Sequence, residues 1–131
     1  MVVFTLQLVV SPKQRAEILQ TLRSLVGPTN AERGCLGCFV QQDASDPNLL
    51  TFSEEWEQQA DLDRHMSTVE YRRLLAVMDM AASVPRVTFF TVSDVAGLER
   101  IAQAQERQHV IDDSQAERMK KQNEQFEEQK H

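Results

Sequence analysis

The sequence predicts one α+β domain with the element order β-α-β-β-α-β, followed by a polar helical tail. Two patterns support this order: four segments rich in β-branched and aromatic residues, and two regions with apolar residues at helical spacing. A third observation separates the tail, because the composition shifts to Gln and charged residues at Gly97. We therefore expect a domain over residues 1–96 and a helical tail over residues 97–131.

Composition limits the classes of partner. The chain has 131 residues, is 41% hydrophobic and carries a formal net charge of −6 with a pI near 5.0. It has enough apolar residues for a core, but no concentrated basic patch for nucleic acid or an anionic membrane. The longest apolar run, Val2–Val10, is too short to span a bilayer and has no basic leader. We expect a cytoplasmic protein that binds neither nucleic acid nor membrane.

The first half of the domain is predicted as a strand, a helix and a hairpin. Val2–Val10 is β-branched and partly alternating, which is typical of a half-buried strand. Ser11-Pro12-Lys13-Gln14 resembles a capping box with Pro at the first helical position, and the Gly27-Pro28 pair predicts the helix end. The stretches Gly34–Gln41 and Leu49–Trp56 are then predicted to pair as an antiparallel hairpin.

The second half is predicted to contain two helical pieces and a last strand. Residues 58–66 form the first piece, and a capping box from Ser67 to Glu70 predicts that a second helix restarts there. The apolar face of that helix consists of Tyr71, Leu74, Leu75, Met78 and Ala82. Pro85 disfavours helix at the residue before it, so a strand is expected over residues 86–95.

This element order predicts a ferredoxin-like fold with two helices on one face of a four-stranded antiparallel sheet. The other sheet face is then left without a cover. If it carries apolar side chains it needs a partner, and a second copy of the chain is the simplest one. We therefore expect a homodimer.

The tail favours a helix without a strong pairing surface. Ile101, Ile111, Met119 and Phe126 lie near one face, but glutamines interrupt this stripe, so a stable coiled coil is disfavoured. A loosely docked helix is the favoured interpretation. Packing across a dimer or onto a partner is the alternative.

Four short motifs occur in a fixed order along residues 2–95. The first strand leads into a helix through Ser11-Pro12-Lys13, and the second strand is preceded by Glu32-Arg33-Gly34-Cys35. The hairpin turn contains Asp46-Pro47-Asn48. The last motif is Glu54-Glu55-Trp56-Glu57 followed by Ala60, Leu62 and His65. Together these motifs resemble the antibiotic biosynthesis monooxygenase family.

The resemblance implies a dimeric α/β barrel in which two sheets meet and the helices lie outside. It also implies a pocket between sheet and helices in each subunit. Some members oxidise polycyclic phenols or quinols with O2 and without a metal or flavin, so no cofactor is expected. Others degrade haem or isomerise small molecules, and fold alone does not select among these activities.

His65 is the candidate catalytic residue, because an enclosed imidazole can accept a phenolic proton near neutral pH. Trp56 and Tyr71 are the candidate substrate-binding residues, as a flat wall and as a hydroxyl donor. Each has a structural alternative: a locally bonded His at the helix junction, a Trp in the core, and a packed Tyr with a solvated hydroxyl. Glu54 would share a strand face with Trp56, and a solvated Glu54 is favoured over a buried base.

Other candidate sites are disfavoured. In Cys35-Leu36-Gly37-Cys38 both cysteines fall in a strand and are expected on opposite faces, so packed thiols are favoured over a redox or zinc site. Arg72 and Arg73 can attract an anion but are expected at the surface. The resemblance also disfavours haem degradation, because haem-degrading members have a His ligand on the second helix and this chain has none there. Its other histidines, His109 and His131, lie in the tail. No metal site is expected.

The sequence leaves three functions open. The first is a cofactor-independent monooxygenase on a small aromatic phenol or quinol. The second is a non-catalytic dimer that holds a small molecule or a protein. The third is an isomerase or lyase on a small carbonyl compound, using the same residues without O2.

Overall fold

The computed structural model describes residues 1–130. Two compact units divide the chain, Met1–Ser93 and the segment from Asp94 onward. The predicted boundary between residues 96 and 97 stays a prediction. Within residues 1–130, no helix has the length and apolarity needed to cross a membrane.

The first unit is built on a four-stranded antiparallel sheet with the order β2-β3-β1-β4. Its strands are β1 (Val2–Val9), β2 (Cys35–Gln42), β3 (Leu49–Trp56) and β4 (Arg86–Thr91). The long central strands pair over their whole length, from Val2 opposite Trp56 to Val9 opposite Leu49. Together with its helices this sheet confirms the α+β, ferredoxin-like fold.

Three helices, α1 (Arg15–Asn30), α2 (Gln59–His65) and α3 (Val69–Met78), belong to this unit. They cover one face of the sheet because alternate strand residues point toward them. The core contains the buried strand residues Phe4, Leu6, Leu8, Leu50 and Phe52, and the helix residues Ile18, Leu22, Leu25, Leu74 and Val77. A second small cluster joins Val2, Trp56 and Leu62 at the end of the sheet where α2 begins.

Helix α1 differs from the prediction at both ends. The capping box is wrong, because Gln14 stands at the N-cap without a side-chain hydrogen bond and Arg15 is the first helical residue. The predicted stop at Gly27-Pro28 is also wrong. The helix continues through Pro28 to Asn30, and Thr29 is buried. A proline so near the end removes one backbone donor but leaves the last carbonyls free to accept, and the Ala31 N–H bonds to the Gly27 carbonyl.

A β-bulge changes the expected arrangement of the two cysteines. The register shifts between Cys35 and Gly37, so Cys35 pairs with Trp56 and Cys38 pairs with Glu54. Trp56 and Glu54 share the buried side of β3, and both cysteines therefore pack toward the helices. The prediction of opposite faces is wrong, because an i, i+3 spacing keeps one face when a bulge adds a residue.

The junction between α2 and α3 is short and held by side-chain bonds. The N-cap of α3 is Thr68, one residue beyond the predicted Ser67, and its hydroxyl oxygen accepts the Tyr71 N–H at 3.3 Å. The same hydroxyl donates to the His65 carbonyl at 2.7 Å. One side chain thus ties the end of α2 to the start of α3, and so fixes His65 relative to Tyr71.

The last strand is shorter than predicted, and the tail forms a single helix. Strand β4 ends at Thr91 rather than near residue 95. The tail is one helix, α4 (Leu98–Lys130), whose side chains are exposed through Glu128. A polar tail helix is therefore confirmed as secondary structure.

Candidate functional site

His65 lies at the centre of the candidate site and bridges two carboxylates. It is the last residue of α2 and is 1% exposed. Its Nδ1 lies 2.6 Å from Oε2 of Glu32, in the turn after α1, and its Nε2 lies 2.8 Å from Oε2 of Glu54 on β3. Both ring nitrogens are thus occupied by protein groups.

Glu54 is buried, which corrects the expectation of a solvated side chain. It is 0% exposed and shares the inward side of β3 with Trp56, while Glu55 lies on the other side. Its second oxygen, Oε1, accepts the Trp56 indole N–H at 3.2 Å. The strand alternation predicted the shared face, but it did not show that His65 and Trp56 would satisfy a buried carboxylate there.

The two carboxylates decide the protonation state of His65. Burial of the ring favours its neutral form, but the hydrogen bond and charge of Glu54, followed by those of Glu32, outweigh it. The pKa of His65 is therefore raised above its ordinary value of 6.5. These contacts stabilise the imidazolium form, in which both ring nitrogens donate hydrogen bonds.

Aromatic rings extend from this cluster toward the edge of the sheet. The Trp56 ring lies 4.7 Å from the His65 ring, and the Tyr71 ring meets His65 edge-on at 5.5 Å. Tyr71 also lies 6.1 Å from Phe4, which lies 5.2 Å from Phe89 on β4. The structure thus brings the three predicted site residues together, with Trp56 fully buried and Tyr71 half-buried.

Tyr71 also responds to the buried charge. Its pKa is raised by burial and then by the negative charge of Glu54. Tyr71 is the member of the aromatic group that connects the buried cluster to a partly exposed surface.

Glu32 is the site residue that sequence reasoning missed. It appeared only as the first residue of the Glu32-Arg33-Gly34-Cys35 motif. Gly34 has a φ of 85°, the one positive φ among residues 1–130, and its carbonyl accepts the Glu57 N–H at 2.8 Å. This left-handed turn returns the chain to the sheet and leaves Glu32 beside His65. The available signal was a carboxylate within a family motif, two residues before the glycine of the turn.

The remaining candidates lie away from this cluster or are inert. Cys35 and Cys38 are free thiols, and burial raises the pKa of Cys38 to about 12. Arg72 and Arg73 are exposed. Residues 1–130 contain no group of three or more His, Cys, Asp or Glu side chains placed to hold a metal ion. His109 lies exposed on α4, 3.3 Å from Asp113, and His131 lies outside the described residues.

Solved structures share this fold. A proposed antibiotic biosynthesis monooxygenase of Deinococcus radiodurans matches 75% of this chain and 98% of its own, with 20% identity and a TM-score of 0.69. A Mycobacterium tuberculosis protein matches 73% of this chain and 98% of its own, at 23% identity and a TM-score of 0.67. A Pseudomonas aeruginosa protein matches 71% and 94%, at 25% identity and a TM-score of 0.63.

A comparison of the sequence itself assigns the chain to a family. No curated protein matches the chain. The family model described as antibiotic biosynthesis monooxygenase matches residues 1–77, more than half of the chain and all of the elements that build the Glu32–His65–Glu54 cluster. The chain therefore belongs to the antibiotic biosynthesis monooxygenase family.

Proposed function

We propose that this protein is an oxygenase that uses neither metal nor organic cofactor and acts on a small aromatic phenol or quinol. The observation that carries the proposal is the continuity between a buried acid–base cluster and an aromatic surface. Tyr71 contacts His65 on one side and Phe4 on the other, and Phe4 contacts Phe89. A phenol placed on this surface would lie beside the half-buried Tyr71, whose ring contacts that of His65.

The ligand surface is the part of β4 that faces the helical side. Val87 and Phe89 pair with the buried residues Leu6 and Phe4, so they point to the same side of the sheet. They nevertheless remain 40% and 50% exposed. An apolar surface beside one hydroxyl, that of Tyr71, suits a planar ring that carries a polar group.

The reaction can be balanced with the substrate and O2 alone. Loss of a proton from an activated carbon leaves a carbanion that forms a bond to O2, and the resulting peroxide takes back a proton. Elimination of water then leaves a carbonyl. The carbon loses four electrons and O2 gains four, with one oxygen atom in the product and one in water. The protein has to hold the abstracted proton and stabilise the substrate anion in a site that excludes water.

Oxygen uptake with a panel of anthrones and quinols tests the proposal. We expect turnover by the full chain and a loss of roughly 100-fold in kcat for His65→Gln and Tyr71→Phe, the usual size of an acid–base contribution. Glu57→Gln, which removes an exposed carboxylate near the same strand end, is the matched control and should keep its rate. Equal rates in all four proteins would remove the cluster from the reaction.

A non-catalytic binding protein is the second candidate, and the burial of His65 favours it. An imidazole that is 1% exposed and held at both nitrogens can serve as a structural clamp. If the protein only binds its ligand, it should show saturable binding of a phenol and no oxygen uptake. An isomerase or lyase would instead convert its substrate equally fast without O2, so oxygen uptake and anaerobic turnover together separate the three functions.

We also propose that two copies pair through the sheet face opposite the helices. Phe39 and Phe90 lie on this face, and each is about half exposed, at 47% and 49%. Beside Phe90 a groove of about 330 Å³ is lined by Thr5, Gln7, Arg86 and Thr88. Pairing would bury the phenyl rings and let the polar residues bond across the interface. Light scattering should give twice the chain mass, and a monomer at micromolar concentration would exclude the dimer.

A further inference from the structure

The tail helix α4 carries a surface that the proposed oxygenase does not use, and it lies outside the residues matched by the family model. Along one side of the helix, apolar residues alternate with glutamines. At about 3.6 residues per turn, all of them fall within about 40° of one line along the helix axis. This α4 stripe consists of Ile101, Ala104, Gln108, Ile111, Gln115, Met119 and Gln122, all of which are exposed.

The glutamines weaken the α4 stripe as an apolar surface, but they make it complementary to itself. Gln108, Gln115 and Gln122 are seven residues apart, so in two parallel helices in register each lies opposite its own copy. Because an amide both donates and accepts, each such pair can form a hydrogen bond. The repeat is interrupted once, between Gln115 and Met119, by a four-residue step of the kind that locally unwinds a coiled coil.

Polar side chains border the α4 stripe at matching positions on its two sides. Three arginines lie about 60–80° to one side, and three hydrogen-bond acceptors lie about as far to the other side. Each acceptor follows its arginine by five residues, the offset at which the flanking positions of two parallel, in-register helices meet. The three pairs are Arg100 with Gln105, Arg107 with Asp112, and Arg118 with Asn123.

Contacts within α4 agree with these positions. A shallow groove of about 200 Å³ is bordered by Arg100 and Arg107 and reaches Ala104 on the stripe. On the other side, the side-chain amide of Gln108 donates to Oδ1 of Asp112 at 2.9 Å. This bond holds the Asp112 carboxylate beside the stripe, where its second oxygen can accept from an arginine of another helix.

The charges favour a parallel pair over an antiparallel one. In an antiparallel pair the arginine side of one helix faces the arginine side of the other, so Arg107 and Arg118 of both copies lie on the same side of the interface. Asp112 then has no cation opposite it. In either orientation the acidic residues Glu106 and Glu124 lie on the far side of the helix, about 180° from the stripe, where they do not oppose pairing.

We propose that α4 is a self-association surface: the tail helices of two chains pair in parallel and in register along the α4 stripe, with Arg107 bonded to the partner's Asp112. The partner is a second copy of this chain, because the glutamine layers and the flanking charges match the same sequence at the same height. The proposal depends neither on the oxygenase nor on pairing through the sheet face.

Disulfide trapping in the full chain tests this geometry. Ile111 meets its own copy in the parallel pair, so Ile111→Cys should give a covalent dimer under mild oxidation. Val110→Cys is the matched control, since Val110 is also more than half exposed but lies about 140° away from the stripe. Wild type should give little covalent dimer, because burial raises the pKa of the Cys35 and Cys38 thiols and slows their oxidation.

Charge reversal tests the contact between the two helices. In the Ile111→Cys protein, Arg107→Glu places a carboxylate against the partner's Asp112, and Asp112→Arg places two cations together. Each change should slow cross-linking about fivefold, the effect of two exposed ion pairs. The double reversal restores opposite charges and should recover the original rate. High salt should reduce all of these differences.

Other arrangements give different results. An antiparallel pair centred on Gln115 places Ile111 opposite the partner's Met119, so faster cross-linking of Ile111→Cys with Met119→Cys than with itself would overturn the proposal. Equal cross-linking of Ile111→Cys and Val110→Cys would do the same, because it indicates random collision. Protection of the α4 amides from hydrogen exchange without any cross-link would show that the tail docks elsewhere, and would also reject self-association.

Discussion

The indole ring of Trp56 lies 4.7 Å from the imidazole ring of His65, and both side chains bond to the same carboxylate. The Trp56 N–H donates to Oε1 of Glu54 at 3.2 Å, and His65 Nε2 lies 2.8 Å from Oε2. A strand residue, a helix residue and a buried charge are therefore coupled in one unit. A change in the protonation of His65 must alter the surroundings of both partners.

The first prediction uses Trp56 as a reporter. It is the only tryptophan, and an imidazolium in contact with an indole quenches its emission more strongly than a neutral imidazole does. Because the pKa of His65 is raised, emission should increase with pH along a titration whose midpoint lies above 6.5. His65→Gln should give a flat profile in a fluorescence titration. A wild-type midpoint below 6.5 would contradict the two-carboxylate contact.

The second prediction concerns the pH dependence of stability. A histidine whose pKa is higher in the folded state than in the unfolded chain contributes stability that is complete below the unfolded value of 6.5. That contribution is lost as the pH rises through the raised folded pKa. The free energy of unfolding, measured by urea denaturation from about pH 6 to 8, should therefore fall, since thiols and phenols titrate above this range.

The control for this pH dependence is the same series in His65→Gln. Its stability should be lower at pH 6 but nearly constant across the range, because the proton-linked contribution is gone. Glu32→Gln should retain a smaller slope than wild type, since one of the two carboxylates that raise the pKa is missing. A wild-type stability that rises with pH would show that His65 is neutral in the fold.

The third prediction separates the two carboxylates by burial. Glu54→Ala should cost roughly 3–5 kcal/mol, because it leaves a buried imidazolium and a buried indole N–H without their partner. Glu32→Ala should cost less, about 1–2 kcal/mol, because the side chain of Glu32 is 24% exposed and water can replace it. Denaturation in urea at pH 7 measures both. Equal costs would show that solvent reaches Glu54 as easily as Glu32.

Much of the fold could be predicted because it follows from local patterns. The alternation along β1 and β3 and the apolar stripe of α1 identify the inward faces, and the order of elements then defines the sheet. The wrong predictions concern positions where a single residue overrides the local sequence pattern. Pro28 lies near enough to a helix end to be tolerated, and the bulge before Gly37 places Cys35 and Cys38 on one side of β2.

The site could be predicted less well because its contacts join distant parts of the chain. His65, Trp56 and Tyr71 are close in sequence: the first two belong to one motif, and Tyr71 follows in the next helix. Glu32 lies 33 residues before His65, in a turn whose position depends on the packing of α1 against the sheet. The burial of Glu54 likewise depends on partners supplied by another element. Sequence periodicity carries no information about such contacts. The contact of His65 with two carboxylates could therefore be identified only in the folded structure.

The last prediction concerns the turn that places Glu32. Gly34 has a φ of 85°, and an added Cβ would collide with the carboxylate of Asp61. That carboxylate is held by the Gln58 N–H and by Arg64, each at 3.2 Å, so it cannot move away easily. Gly34→Ala should therefore lose roughly 2–4 kcal/mol, from the left-handed backbone and the overlap together.

Gly27→Ala is the matched control, because nothing lies within 4 Å of its added Cβ and the residue is inside helix α1. It should stabilise the protein by roughly 0.5–1 kcal/mol. The Trp56 emission titration then tests the link to the site. Where Gly34→Ala still folds, its turn should shift Glu32 away from His65, and the midpoint should move down toward 6.5. Gly27→Ala should keep the wild-type midpoint, and a Gly34→Ala midpoint equal to it would show that the turn does not position Glu32.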